Sequence, residues 1–233
     1  MLRSFGLAKA SQKLCVSWKS KANFGQEYRY NCNHIGYFGN ISVKNKSSTT
    51  SSYVQEGYAF EKTTRDVLLK HGFILNHRGG PNDAGLDFEG FWRVKHNEIK
   101  NIPVALQCKK KKKRVGVAHI RELEGSLVDY CKARSPTHST SEGWDVIHVL
   151  GVFVSSSGFT LQSQRQCLNS ALPLMLVDLN GDRVEDILLS RKAKVLIPNL
   201  IVTKQRTLDK KNVVFILYDD DVIMSFEPKS HSE

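Results

Sequence analysis

No apolar run in this 233-residue sequence approaches the length of a membrane-spanning helix, about 20 residues. The longest, residues 146–155, is interrupted by His148, so no membrane span is expected. Cysteine is scarce and scattered. Cys15, Cys32, Cys108, Cys131 and Cys167 form no C-x-x-C pair, which argues against a disulfide framework or a structural zinc site and for a reduced compartment. No Gly-Lys-Ser/Thr follows the glycine-rich stretch, so it is neither a Walker loop nor a dinucleotide fingerprint. No G-x-S-x-G elbow surrounds the serines at 155–157. The eight histidines show no H-x-x-x-H spacing.

Acid is also missing from the start of the chain. Before Glu27 there is none, while Arg3, Lys9, Lys13, Lys19 and Lys21 lie among serines, Leu2, Phe5, Leu14, Val16 and Trp18. That composition fits a mitochondrial transit peptide. The plainer alternative is a basic arm that touches nucleic acid. Asn45 to Ser52 is a polar linker with nothing to bury. The expected organisation is therefore a leader and linker over 1–52, a folded domain over 53–190 and a β extension over 191–233 packed on that domain.

What is abundant is positive charge: 34 Lys and Arg against 23 Asp and Glu, a net +11. Residues 1–54 hold eight basic residues against one acid, +7, and the remainder 26 against 22, +4. The body is thus mildly basic, with one local patch of six cations from Lys109 to Arg114. A local patch favours a localised polyanion contact.

Apolar spacing predicts a helix over 55–71, ended by Gly72, with Phe60, Thr64, Val67, Leu68 and His71 on one side. Strands are predicted over 73–76, 86–92 and 102–109. A second helix over 117–133 carries the stripe Ile120, Leu123, Leu127, Tyr130 and Cys131. A polar loop follows at 134–143, then a strand at 146–155 buried on both faces. A short helix over 161–170, a strand at 173–177, a further short helix at 181–190 and added strands over 194–228 complete the chain. This is an α/β fold with a mixed central sheet.

Strand side chains alternate faces, so Gln107 and Lys109 share one face and Cys108 takes the other. If the strands at 86–92 and 102–109 pair, Asp87, Gln107 and Lys109 can meet. A carboxylate, an amide oxygen and an ammonium beside a basic loop suit metal-assisted attack on a phosphodiester. Glu61 borders the apolar stripe of the first helix, where it can point inward or remain an exposed helix glutamate. A lysine run by itself is usually a solvated loop.

The blocks Phe60-Glu61, Leu68-Leu69, Gly72-Phe73, Gly79-Gly80-Pro81-Asn82-Asp83-Ala84-Gly85-Leu86-Asp87, Gln107-Cys108-Lys109, 115–125 (VGVAHIRELEG) and Ser157-Gly158-Phe159-Thr160 occur in this order. Together, over roughly 56–180, they resemble the Mrr-like group of the PD-(D/E)XK, restriction-endonuclease-like superfamily. With the apparent leader, the chain looks most like the fungal mitochondrial members of that group, a family linked to respiratory growth. The resemblance implies an αβββαβ core with extra C-terminal strands. It implies Mg²⁺, with Mn²⁺ able to substitute, held by Asp87, Gln107, the backbone carbonyl of Cys108 and Glu61. The catalytic set would be Asp87, Gln107, Lys109 and Glu61. Gly79, Gly80, Asp83 and Gly85 would shape the turn. Lys110, Lys111, Lys112, Lys113 and Arg114 would hold flanking phosphates. The serine turn itself is read as structural, with Ser157 or Thr160 within reach of substrate.

Three functions follow: a metal-dependent DNA endonuclease of the mitochondrial matrix, acting in genome maintenance and hence respiratory growth; a nucleic-acid-binding protein whose catalysis is weak or lost; and a non-catalytic assembly factor. The expected partner is double-stranded DNA, and paired cuts would favour a homodimer.

Overall fold

The computed structural model describes residues 52–78, 85–95, 99–134, 148–206, 212–219 and 221–226. It also describes a pair of two-residue strands, β1 (Ser20–Lys21) and β2 (Glu27–Tyr28). The chain divides into two compact units, Met1–Ser48 and Thr49–Glu233. The first contains β1 and β2; all that follows concerns the second. The rest of the leader, the turn at 79–84 and the loop at 135–147 lie outside the described residues.

The second unit opens with α1 (Ser52–Leu69), which buries Phe60, Thr64, Val67 and Leu68 at helical spacing. Then come β3 (Phe73–His77), β4 (Phe88–Lys95), β5 (Ile99–Lys109), α2 (Val117–Arg134) and β6 (Leu150–Ser155). This is the expected order of one helix, three strands, one helix and one strand. It continues with α3 (Leu161–Asn169), β7 (Leu174–Asn180), β8 (Arg183–Leu189), α4 (Arg191–Leu196), β9 (Leu200–Arg206), β10 (Asn212–Tyr218) and β11 (Asp221–Phe226).

Six strands form one mixed sheet in the order β3-β4-β5-β6-β7-β8. The central pairs β5–β6 and β6–β7 are parallel and the flanking pairs antiparallel. All six residues of β6 are buried, as expected for a strand covered on both faces. The alternation of β5 separates two cores. Val104, Leu106 and Cys108 join the core under α1, whereas Ala105 joins the core under α2 and α3. The stripe Ile120, Leu123, Leu127, Tyr130 and Cys131 is the buried face of α2.

The C-terminal sheet has the order β11-β10-β9. Its Leu200, Val214, Ile216, Tyr218 and Phe226 belong to the same apolar cluster as α1 and the main sheet. The α1 face of the sheet is therefore completed by strands rather than by a second long helix.

Residues 181–190 are not the expected helix. They form β8, paired with β7 through the two-residue turn Gly181-Asp182 that follows Asn180, and Gly181 has φ +61°. Asn-Gly between apolar runs is a hairpin signal, and Val184 and Leu189 bury against the sheet where a lone helix would have little to cover. The short α4, capped by the Ser190 hydroxyl accepting from the Ala193 N–H, was not expected either. Finally, β4 begins at Phe88, so Asp87 stands just outside the strand. Leu86 joins the α2-side core and Phe88 the α1-side core, which breaks the two-residue alternation at Asp87.

Candidate active site

The carboxyl end of β5 lies at the centre of the sheet, beside the start of β4 and between α1 and α2. Asp87 is fixed there by three hydrogen bonds. Its N–H donates to the Leu106 carbonyl at 2.9 Å, and its carbonyl accepts from the Arg78 N–H at 2.9 Å. Its Oδ2 accepts from the Cys108 N–H at 2.6 Å. A backbone donor on the carboxylate fixes its orientation.

Glu61 approaches from α1, with Oε2 3.4 Å from His77 Nε2 on β3. The charges of Asp87 and Glu61 both act on the Cys108 thiol between the strands and α1. Burial above all pushes that thiol well above its ordinary value, and the two carboxylates add to the shift. Cys108 is thus an uncharged packing residue. Cys131 and Cys167 are likewise buried and in no disulfide.

Gln107 and Lys109 face α2. Gln107 is 2% exposed, and its Oε1 has no hydrogen-bond partner among the described residues. An unmet buried amide oxygen costs about 1–3 kcal/mol, so a ligand that used it would recover that cost. Gly85, with φ +77°, leaves a niche on the other side of the amide, beside its nitrogen. A Cβ at Gly85 would stand 3.4 Å from Gln107 Nε2, 3.5 Å from Ser126 Oγ and 3.9 Å from Glu122 Oε1. The amide, the hydroxyl and the carboxylate therefore converge over a residue with no side chain.

Glu122 and Ser126 did not stand out in the sequence. Glu122 lies three residues after His119, and His119 Nδ1 is 3.0 Å from Glu122 Oε2. His119 Nε2 in turn contacts Lys111 Nζ. The His119 hydrogen bond holds the Glu122 carboxyl below its ordinary value. Burial opposes it, and the charges of Lys109 and Lys111 reinforce it. The i, i+3 pairing on the polar face of α2 was the available signal.

The cation run is held from behind. The Ser156 N–H donates to the Lys109 carbonyl at 3.2 Å. Ser156 Oγ accepts from the Lys111 N–H at 3.0 Å and lies 3.2 Å from the Lys111 carbonyl. Ser157 Oγ donates to the Lys113 carbonyl at 2.7 Å. Phe159 and Val115 then bridge in parallel. The serine turn thus fixes the loop backbone, while Lys110, Lys111, Lys112, Lys113 and Arg114 remain exposed. Thr160 serves as the cap of α3, accepting from the Ser163 N–H.

Arg114 goes elsewhere. It lines a polar cavity of about 220 Å³ with Asp178, Glu185, Asp186 and Lys204. Asp87 and Glu61 thus flank one side of Cys108, while Gln107 and Lys109 face Glu122 on the α2 side. Of the turn residues, Gly79, Gly80 and Asp83 lie outside the described residues. The turn's exit is framed by Glu89, whose Oε2 meets Arg78 at 3.1 Å and also Arg134. Both guanidinium groups lie over the Tyr130 ring, at 5.1 Å and 4.0 Å.

Among the described residues, no three His, Cys, Asp or Glu side chains form a group that could hold a metal ion. A cation here would need oxygen from outside those types. The buried, unpartnered Gln107 Oε1 is the kind of donor that a hard cation, which prefers oxygen ligands and keeps several waters, would use.

Residues 54–143 match the Mrr_cat family model, described as restriction endonuclease. An uncharacterized mitochondrial protein of Schizosaccharomyces pombe is 32% identical over 170 residues, which is 73% of this chain and 64% of that protein. The chain therefore spans somewhat under two thirds of that relative's length. Among solved structures, the DNA modification-dependent restriction endonuclease AspBHI matches with a TM-score of 0.38 and 20% identity, over 57% of this chain and 30% of that one. The MspJI restriction endonuclease in complex with a 27-mer oligonucleotide matches with a TM-score of 0.36 and 18% identity, over 56% and 27%. No helix among the described residues is long and apolar enough to cross a membrane.

Proposed function

We propose that this chain hydrolyses phosphodiester bonds of DNA as a metal-dependent endonuclease in mitochondria, a reading supported by the match of residues 54–143 to the Mrr_cat restriction endonuclease model. The carrying observation is the junction of β4 and β5. Support comes from Asp87 Oδ2 held by the Cys108 N–H there, with the buried Gln107 and Lys109 on either side of Cys108 in the strand that runs into a loop of exposed cations.

In this reading Asp87, Gln107 Oε1, the Cys108 carbonyl and Glu61 hold Mg²⁺ or Mn²⁺. When bound, the cation supplies Lewis-acid stabilisation of phosphate charge and makes water a better nucleophile. Lys109 places an ammonium against the scissile phosphate, where charge develops during attack. Lys110, Lys111, Lys112 and Lys113 hold the flanking backbone, which gives affinity without base reading. Such binding weakens steeply with salt. The mitochondrial designation of the S. pombe relative supports the location, and genome maintenance, with its effect on respiratory growth, is the process it suggests. The substrate is double-stranded DNA, and paired cuts would be made by a homodimer.

One observation favours a second reading, a DNA-binding protein without catalysis: no three acidic, His or Cys side chains converge as a metal cluster among the described residues. The full-length protein, incubated with duplex DNA and Mg²⁺ or Mn²⁺ beside Asp87→Ala and Lys109→Ala, decides between the two. Cleavage abolished by both changes is expected. Binding without metal-dependent cleavage would sink the enzymatic reading.

A further inference from the structure

The lysine loop leaves β5 on one side of Asp87. A second cationic spot stands on the other side. The sheet register runs His77, Phe88, Leu106 across β3, β4 and β5. The bond from the Arg78 N–H to the Asp87 carbonyl, and that from the Asp87 N–H to Leu106, carry it one step further. Arg78 and Gln107 therefore flank Asp87 on neighbouring chains, each about 4.8 Å away. The Arg78 guanidinium turns to the α2 side, 5.1 Å from the centre of the Tyr130 ring.

Arg134, the last residue of α2, joins it there. Its guanidinium lies 4.0 Å from the centre of the same ring, and both arginines donate to a single oxygen, Glu89 Oε2. Tying β3 and β4 to the end of α2 needs one arginine on that carboxylate. Here two cations share it, and Glu89 is the one carboxylate among the described charges acting on Tyr130. Each guanidinium has five N–H donors and gives one to Glu89. The two side chains are 23% and 32% exposed, so both are open to a ligand while the ring holds their planes. Planar guanidinium groups with surplus charge and unspent donors suit phosphate oxygens.

The separation from the lysine loop suits a duplex. Lys111 meets α2 at His119, and Arg134 follows fifteen residues later, about 22 Å along the helix. At about 3.4 Å per step, that is the length of roughly six or seven base pairs. The Gly85 niche, beside Glu122, lies between the two ends.

We propose that Arg78 and Arg134, set on Tyr130, form a phosphate clamp that grips duplex DNA on the β3 side of Asp87, opposite the lysine loop. This rests on the duplex-binding part of the reading above and is independent of metal and of cleavage.

The test is fluorescence anisotropy of the full chain on duplex DNA over a salt series, without divalent metal, with thermal melting of each variant alongside. Arg78→Gln and Arg134→Ala should each weaken binding about tenfold and lower the slope of log affinity against log salt by about 0.9. Arg134→Lys keeps the charge and should keep the slope. Glu89→Gln removes a carboxylate that repels phosphate and should tighten binding at least about threefold. A role confined to packing predicts the opposite sign for Glu89→Gln, since both arginines lose their anchor. Glu89→Gln binding no tighter than wild type therefore sinks the clamp, even should Arg134→Ala fail to fold. Slopes unchanged in Arg78→Gln and Arg134→Ala, where Lys112→Ala lowers it, would overturn the clamp and leave duplex binding standing. If the wild-type chain binds no duplex at low salt, both readings fall.

Discussion

Asp87 has a structural task as well as its proposed catalytic one, and the two can be separated. Its Oδ2 satisfies the Cys108 N–H. Asparagine keeps an acceptor there, whereas alanine leaves a part-buried donor unmet at about 1–3 kcal/mol. Asp87→Asn should therefore unfold in urea near the wild-type midpoint while cleavage falls at least about 100-fold. Asp87→Ala should lose both. Equal stability losses in the two variants would show that the Cys108 contact contributes nothing. Asp178 offers a second residue-scale prediction. Burial first, then the neighbouring Glu185 and Asp186, raise its pKa above the ordinary 3.8, against Arg114 and Lys204. Folding therefore favours the protonated acid. That contribution is complete below pH 3.8 and is lost as pH rises through the folded-state value. Asp178→Asn should raise the thermal midpoint at neutral pH and give no gain below 3.8. A midpoint gain independent of pH would rule out this cause.

The β6–α3 turn and the cation loop behave as one element. Hydroxyls of Ser156 and Ser157 bind the backbone of Lys111 and Lys113, which pre-pays the ordering of four lysines before phosphate arrives. Each such bond is worth about 0.5–1.5 kcal/mol net. Ser156→Ala or Ser157→Ala should weaken duplex binding about 2- to 10-fold with the salt dependence unchanged, because no charge is lost. Lys112→Ala should instead lower the slope of log affinity against log salt by about 0.9. Fluorescence anisotropy over a salt series separates the two effects. A slope change in the serine variants would mean that these hydroxyls touch phosphate themselves.

At the scale of the molecule, the C-terminal sheet is part of the core. Leu200, Val214, Ile216 and Tyr218 are at most 5% exposed, in the cluster that also holds Phe60, Trp92 and Val152. Each fully buried apolar side chain contributes about 1.5–3 kcal/mol, and loss of several exceeds the usual net stability of a domain. Deleting residues 199–233 should abolish cooperative melting by circular dichroism. A truncated chain melting cooperatively at the wild-type midpoint would show the sheet to be dispensable.

Much of this architecture was legible because its determinants are local. The alternation in 102–109 was enough to separate Gln107 and Lys109 from Cys108. The α2 stripe followed from helical spacing, and strands within 194–228 from their apolar runs. Residues 181–190 were misread because a seven-residue amphipathic segment fits either period, and only pairing with β7 makes it a strand. Asp87 was placed on a regular strand, but its neighbours fall into opposite cores. Glu122 passed unnoticed since nothing local ties it to Gln107, fifteen positions earlier. The sequence alone thus determined which side chains share a face, since period-two and i, i+3 relations hold within a single element. Only the tertiary structure decided which faces meet. The seating of α2 over β5 brings Glu122 to the Gly85 niche, and the β5–β6 pairing brings the serine turn beneath the lysines.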